Sequence, residues 1–383
     1  MLNLFLFFIL YLLCIAENID QTDDYESEEL HYVVDTYPPY PVKPKIINYF
    51  LVNNVYSKNI DAAFKSLKSK TCLIFEKKKN WNDKINIHFF LDYGSDIVTL
   101  ARNKKEETKA FLTNKTLHNL RLTSHYVGRT LGLTPEILRK DRDQFVKMNW
   151  NNLDNNYKLY YKNANITKIR QPNTNFNFGS LMFLSPTYGS KNNKPVFKAK
   201  ISSYYNEMFA KFDYFSHNDK KFLNDIYCSN KCKKKISKCE NGGYPHPSCT
   251  KCICPRGFEG KKCTKLASSK GKCGGKKSFS ASQQKQFIDG DKFSGTCYFS
   301  IKSKPGMRVQ VTVENLNLSS KNKCDGEFGL EIKHRDDKGA DGLYLCGKYK
   351  KVEIRAMSNF VVIRYKVTGS DNKMKISYKE VKA

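Results

Sequence analysis

The chain of 383 residues carries 66 Lys and Arg against 37 Asp and Glu, a formal net charge of +29, with 13 cysteines. That length points to two or three domains. Beyond residues 1–16 no stretch approaches the roughly 18 apolar residues a membrane span requires, so no membrane anchor is expected.

Residues 1–16 are almost wholly apolar and end in Cys14-Ile15-Ala16, small residues suited to signal-peptide cleavage. Export to an extracellular location is therefore expected. Residues 17–36 hold eight acids and no Lys or Arg, which leaves 66 basic against 29 acidic residues over 37–383, a net of +37. In an exported protein such charge points to sulfated glycans or acidic extracellular proteins as partners and not to nucleic acid. The competing reading is a set of dispersed, solvated lysines. Removing Cys14 leaves twelve cysteines, an even number mostly crowded into 228–263, which reads as disulfides in an exported chain. Sequons at Asn114, Asn165 and Asn317 fit the same route.

The proline-rich segment 38–44 resists helix and should lead into the first folded domain. Strand character follows over 46–52, then an amphipathic helix over 59–70 with Ile60, Ala63, Phe64 and Leu67 on one face. Further strands are expected at 71–75 and 85–90. A long helix is predicted over 117–131.

That helix leads into the sequence's main chemical signal, running from His125-Tyr126 through Gly128-Arg129 and Gly132 to Thr134-Pro135. A zinc-protease frame of this kind needs two His one helical turn apart with a Glu base beside the first. A turning Gly and a third His complete it. His125 and Gly132 occupy their places in the frame. Tyr126 stands at the base position, Arg129 at the second ligand and Pro135 at the third. Tetrahedral zinc needs three protein ligands, whereas Arg is a permanent cation and Pro offers no donor atom. Tyr, with a pKa near 10, is a poor general base. One vestigial ligand therefore remains; no cofactor and no catalytic residue are expected. His118 lies about 10 Å earlier along the predicted helix, too far to share a zinc with His125. Thr134-Pro135-Glu136 has the form of a helix start, with Thr as N-cap and Pro at the first helical position.

The flanks of this frame carry a resemblance. Glu136, Arg139, Asp141-Arg142-Asp143 and Val146 are similar, in register with Gly132, to the continuation after the third His in the astacin family. Phe176-Asn177-Phe178-Gly179-Ser180-Leu181-Met182-Phe183-Leu184 resembles that family's Met-turn. Met182 is kept, and Leu184 stands where the family has a metal-reaching Tyr. The run 223–228, with Tyr227 and Cys228, is similar to the end of the family's domain. The resemblance implies an α+β metzincin-like fold over 44–228, a bridge Cys72–Cys228, and zinc by family only. It also implies that Glu136 could meet a buried mature N-terminus.

The next six cysteines surround Asn241-Gly242-Gly243 and a Cys254-Pro255-Arg256-Gly257-Phe258 run. This pattern resembles an EGF-like module at 229–264, with bridges Cys232–Cys249, Cys239–Cys252 and Cys254–Cys263 implied by family pattern. A zinc site at Cys249, Cys252 and Cys254 is the competing reading. The remainder contains only strand-like segments. Its opening Cys273-Gly274-Gly275 and the stretch 324–332 resemble an all-β CUB sandwich over 273–380, implying Cys273–Cys297 and Cys324–Cys346. Residues 1–16 and 17–43 complete the division as signal peptide and acidic leader. The expectation is a secreted, inactive astacin homologue acting through binding. The alternative is an active zinc metalloendopeptidase; a third reading is an adaptor whose first domain is a spacer.

Overall fold

The computed structural model describes residues 46–52, 55–101, 106–161, 171–229, 231–232, 238–319, 325–369 and 371–383. The expected signal peptide and acidic leader, Asn165 and Cys324 lie outside these residues.

The first domain opens with a five-stranded sheet. Its strands are β1 (Ile46–Leu51), β2 (Ile74–Lys77), β3 (Ile87–Asp92), β4 (Ile97–Thr99) and β5 (Thr108–Thr113). Their order is β2-β1-β3-β5-β4, parallel except for β4 at the edge. Helix α1 (Lys58–Lys68) buries Ile60, Ala63, Phe64 and Leu67, the four residues its period places on one face. Phe64 reaches the ring of Tyr49 from β1 at 4.6 Å between centroids. Helix α2 (Leu120–Thr130) packs beside α1 and contributes Tyr126 and Val127 to the same core.

Two expected elements differ in outline. The predicted helix over 117–131 is two pieces: a single turn, Asn114–Leu117, and then α2. Asn119 breaks them because its side chain caps α2, accepting from Leu122 N at 3.0 Å. His118 therefore lies outside α2 and stacks on Tyr56 at 4.3 Å. Thr134 does not act as an N-cap either. Pro135 occupies the cap position of one 3-10 turn, Glu136–Leu138, so the sequence signal for a helix start yields a tight turn only.

The second half of the domain is mostly irregular until α3 (His217–Cys228). Cys228 at its end is bridged to Cys72, 156 residues earlier. The bridges Cys232–Cys249, Cys239–Cys252 and Cys254–Cys263 hold a disulfide-rich module built on two small hairpins. Thirty-odd residues cannot bury enough apolar surface to fold unaided, and covalent links stand in for a core.

The C-terminal part is a β-sandwich closed by Cys273–Cys297. One sheet runs in the order Lys270–Lys272, Ser294–Lys302, Phe360–Val367, Gly329–Lys333 and Leu343–Leu345, with Ser278–Ser280 also paired to Ser294–Lys302. The other runs Gln286–Asp289, Lys373–Lys382, Met307–Asn317 and Lys348–Ile354. The three parts are not beads on a string. Phe178, Tyr205, Phe209 and Phe212 of the first domain share one apolar cluster with Leu330, Leu343 and Tyr344 of the sandwich. Phe258 of the disulfide-rich module packs on Val362 and Phe360. Among the described residues no helix is long and apolar enough to cross a membrane.

Candidate functional site

Helix α2 presents Arg121, His125 and Arg129 at four-residue intervals, hence along one face, and all three are buried. Opposite them runs the loop 177–184, which contains Met182. Three consecutive carbonyls of this loop face the helix and the turn after it. Leu181 O receives His125 Nδ1 at 3.1 Å, Met182 O receives Glu136 N at 3.3 Å, and Phe183 O accepts from the Arg121 guanidinium.

The close approach of loop and helix depends on Gly128. A Cβ there would meet Met182 Sδ at 2.9 Å and Phe215 Cε1 at 3.0 Å. Gly132 then turns the chain with a φ of +83°, a conformation that favours glycine. The loop is held from behind by α3. Ser216 and Asp219 form a reciprocal capping box at its start. The same Asp219 carboxylate accepts from Ser180 Oγ at 2.6 Å and Leu181 N at 3.2 Å.

His125 has no exposed surface. A carbonyl can only accept, so Nδ1 carries the proton and Nε2 presents a lone pair, which has no hydrogen-bond partner among the described residues. Burial, then the guanidinium charges of Arg129 and Arg121, hold its pKa well below the usual histidine value. His125 is thus neutral and oriented as a metal-bound imidazole would be, with its other nitrogen on a carbonyl. Its surroundings do not complete a zinc site. Arg129 is 3% exposed and puts a fixed positive charge four residues along the same helical face. Tyr126 belongs to the apolar core with Val127 and Leu131. Pro135 lies in the turn, and Leu184 is buried in the second core. Among the described residues no group of three His, Cys, Asp or Glu could hold a metal. A single imidazole beside two guanidinium groups does not fit zinc, which needs three ligands able to lose or lack a proton.

Glu136, expected as a possible partner for a chain terminus, accepts from Asn177 N at 3.2 Å and lies 3.5 Å from Arg139 Nε. Burial outweighs the arginine and pushes its pKa up to about 8. Arg139 forms a two-pronged pair with Asp141, both contacts at 2.8 Å. Asn114 of the first sequon is exposed at the start of its helical turn; Asn317 is half-buried at a strand end.

The sequence reading missed what covers the outer side of the Met182 loop. Arg335 of the sandwich donates to Phe176 O and lies over the rings of Phe178 and Tyr205. Asn177 and Asp341 exchange two hydrogen bonds of 3.0 and 3.1 Å. Asp337 accepts from Asn175 N and Asn218 Nδ2, each at 3.0 Å. These residues are separated by more than 100 positions, and no local motif marks them. Arg121 escaped notice for a different reason, since a lysine- or arginine-rich chain gives no cue to which cation is buried.

Comparison with known proteins agrees with this geometry. Residues 42–228 match the astacin peptidase family, and residues 273–378 match the CUB domain. The zinc metalloproteinase dpy-31 of Brugia malayi is 28% identical over 79% of this chain and 48% of its own length. The zinc metalloproteinase dpy-31 of Haemonchus contortus is 27% identical over 79% of this chain and 52% of its own. The chain thus spans about half the length of these curated relatives. A hatching enzyme zinc-protease of the Medaka fish Oryzias latipes, high choriolytic enzyme 1, is similar to 48% of this chain over 88% of its own. The two share 19% identity with a TM-score of 0.41. A helix carrying His125 over the Met182 loop, with a closing β-sandwich further along, fits these matches, and the chain carries an astacin peptidase domain followed by a CUB domain.

Proposed function

We propose that this protein is a secreted, catalytically inactive astacin homologue that acts by binding extracellular partners. The observation that carries the reading is the neutral, fully buried His125 with Arg129 and Arg121 on its helical face. Water acquires a pKa near 7 only when bound to a metal such as zinc; free water remains near 15.7 and is no nucleophile at neutral pH. The proposed division is a signal peptide at 1–16, an acidic leader at 17–43 and a peptidase-like domain at 44–228. An EGF-like module at 229–264 and a CUB domain at 273–380 follow. Glycans on Asn114, Asn165 and Asn317 belong to the same reading. Binding partners are an extracellular protein, through the CUB domain, or a sulfated glycan, through the +37 charge of 37–383, which comes from 66 basic against 29 acidic residues.

The test is proteolysis by the purified secreted chain against unfolded protein and quenched-fluorescence peptides, with and without a zinc chelator. No chelator-sensitive cleavage is expected. Cleavage that the chelator abolishes and zinc restores would establish the alternative, an active zinc metalloendopeptidase, the class to which the names of its relatives point.

A further inference from the structure

A groove between the first domain and the disulfide-rich module has no part in the site above. Its open stretch, about 650 Å³, is lined by Lys70, two residues beyond α1, and by Lys251 and Lys261, with His246 beside them. It shares Lys70, Ile253 and Cys254 with a narrower cavity of about 260 Å³ that continues to the point where all three modules meet. There Lys220, Arg256 and Lys333 come in from the first domain, the disulfide-rich module and the sandwich, against Glu327 and Asp341.

The charges are not balanced inside the groove. Arg256 lies 3.7 Å from Glu327 and 3.6 Å from Glu331, and Lys333 lies 3.2 Å from Glu331. Burial pushes the Asp341 carboxyl upward, and Asn177 already donates to it. Lys70, Lys220, Lys251 and Lys261 form no ion pair among the described residues. Lys220 Nζ uses one donor on Phe215 O, at 2.6 Å. Burial lowers the Lys220 ammonium's pKa against the attraction of Asp219 and Asp341, and Lys70 and Arg256 add repulsion; burial, then Lys251 and Lys70, lower His246 in the same sense. These cations feel one another across the groove.

We infer that the groove binds a sulfated oligosaccharide. One sulfate enters the three-module junction beside Lys220, and the next ones lie along Lys70, Lys251 and Lys261. Spaced single cations call for spaced single anions. Ammonium groups act as compact point charges, suited to sulfate esters, where two-pronged carboxylate recognition would favour arginine. Thr250 and His246 offer hydrogen bonds for sugar hydroxyls; Ile253 is the one aliphatic side chain of the open stretch, and the rings of Tyr214, Phe215 and Tyr244 line only the narrower cavity. A volume of about 650 Å³ falls within the range of roughly 300–1,000 Å³ usual for ligand sites. The inference rests on the reading of the basic body as a sulfated-glycan binder and assigns that reading a location.

The experiment titrates the full secreted chain calorimetrically with a sulfated heparin hexasaccharide, its desulfated counterpart and a glutamate hexapeptide. The wild type is expected to bind the sulfated sugar, with affinity falling as salt rises, and to bind the other two at least about tenfold more weakly. Lys70→Gln with Lys251→Gln, both at exposed positions, should weaken binding about tenfold and leave the thermal midpoint unchanged. Lys348→Gln with Lys350→Gln removes the same charge from the sandwich surface and should change affinity by less than about twofold. Equal weakening by both double variants, or none by the first, would overturn the site while sparing the general reading. Equal affinity for the hexapeptide would replace the sugar by an acidic peptide and overturn the ligand. Absence of any binding to the wild type would overturn both.

Discussion

Position 129 is where the protein departs furthest from zinc chemistry. A second imidazole there would add a lone pair; Arg129 instead adds a cation to a buried helical face that already carries Arg121. His125 has a structural task, donating Nδ1–H to Leu181 O and so tying α2 to the Met182 loop. Its neutrality follows from burial and from the two arginines. Gly128 is as constrained as any ligand. Gly128→Ala gains helix propensity of about 1 kcal/mol, but the new Cβ would stand 2.9 Å from Met182 Sδ and 3.0 Å from Phe215. Overpacking of that kind costs about 1–3 kcal/mol, so a net loss of up to about 2 kcal/mol is expected in urea titration. A stabilised variant would mean that the loop is looser than its contacts indicate. The residue swaps at 126, 129, 135 and 184 were plain in the sequence because the frame numbers them. The burial of Arg121 was not, since charge composition carries no depth.

Among the elements, the Met182 loop has almost no regular hydrogen bonding of its own and is specified by its neighbours. Asp219 is the main one: it completes the capping box of α3 and accepts from Ser180 and Leu181 at once. Asp219→Ala removes the third-residue half of the capping box and leaves the donors Ser216 N, Ser180 Oγ and Leu181 N unmet, buried groups that cost about 1–3 kcal/mol each. A loss of about 2–4 kcal/mol is expected by denaturant titration. Asp219→Asn should recover part of it, since the amide oxygen can still accept. A loss under about 0.5 kcal/mol, the usual range for a surface position, would contradict this role. The amphipathic face of α1 could be read at residue level because four apolar residues recur at helical spacing. The break between Leu117 and Leu120 could not be, because the apolar period continues through it while the cap at Asn119 decides the outcome.

At the scale of the whole molecule, the modules are joined by buried polar contacts as much as by apolar ones. Two buried histidines sit at these joints and a third within one module. His125 lies in the first domain, His217 donates at 3.0 Å to Gly242 O of the disulfide-rich module, and His334 accepts from Tyr205 across the sandwich boundary at 2.8 Å. Burial lowers all three, His217 and His334 to about 3. A histidine depressed in the folded state binds its proton first in the unfolded chain. Its stabilising effect is therefore complete above the unfolded value near 6.5 and is lost as pH falls toward the folded value. Each contributes about 1.4 kcal/mol per pH unit, set against the opposite contribution of Glu136, whose raised pKa makes the folded state the first to take up its proton. Denaturant titrations of the wild type and His334→Gln between pH 6 and 4 should differ in slope by about 1.4 kcal/mol per unit. Identical slopes would mean that this ring reaches water. Module order was legible from cysteine spacing and glycine turns. The docking of the sandwich on the Met182 loop was not, because Arg335, Asp337 and Asp341 resemble any exposed charges until the fold brings them to Phe176, Asn175 and Asn177.

The one imidazole of the zinc frame stands on a helical face with two buried arginines. The decisive measurement is elemental analysis of the purified secreted chain, saturated with zinc and then dialysed against metal-free buffer. Well under about 0.1 zinc per chain is expected, the background of a site with one ligand in three. Retention of about one zinc per chain, lost in a His125→Ala variant, would contradict that expectation.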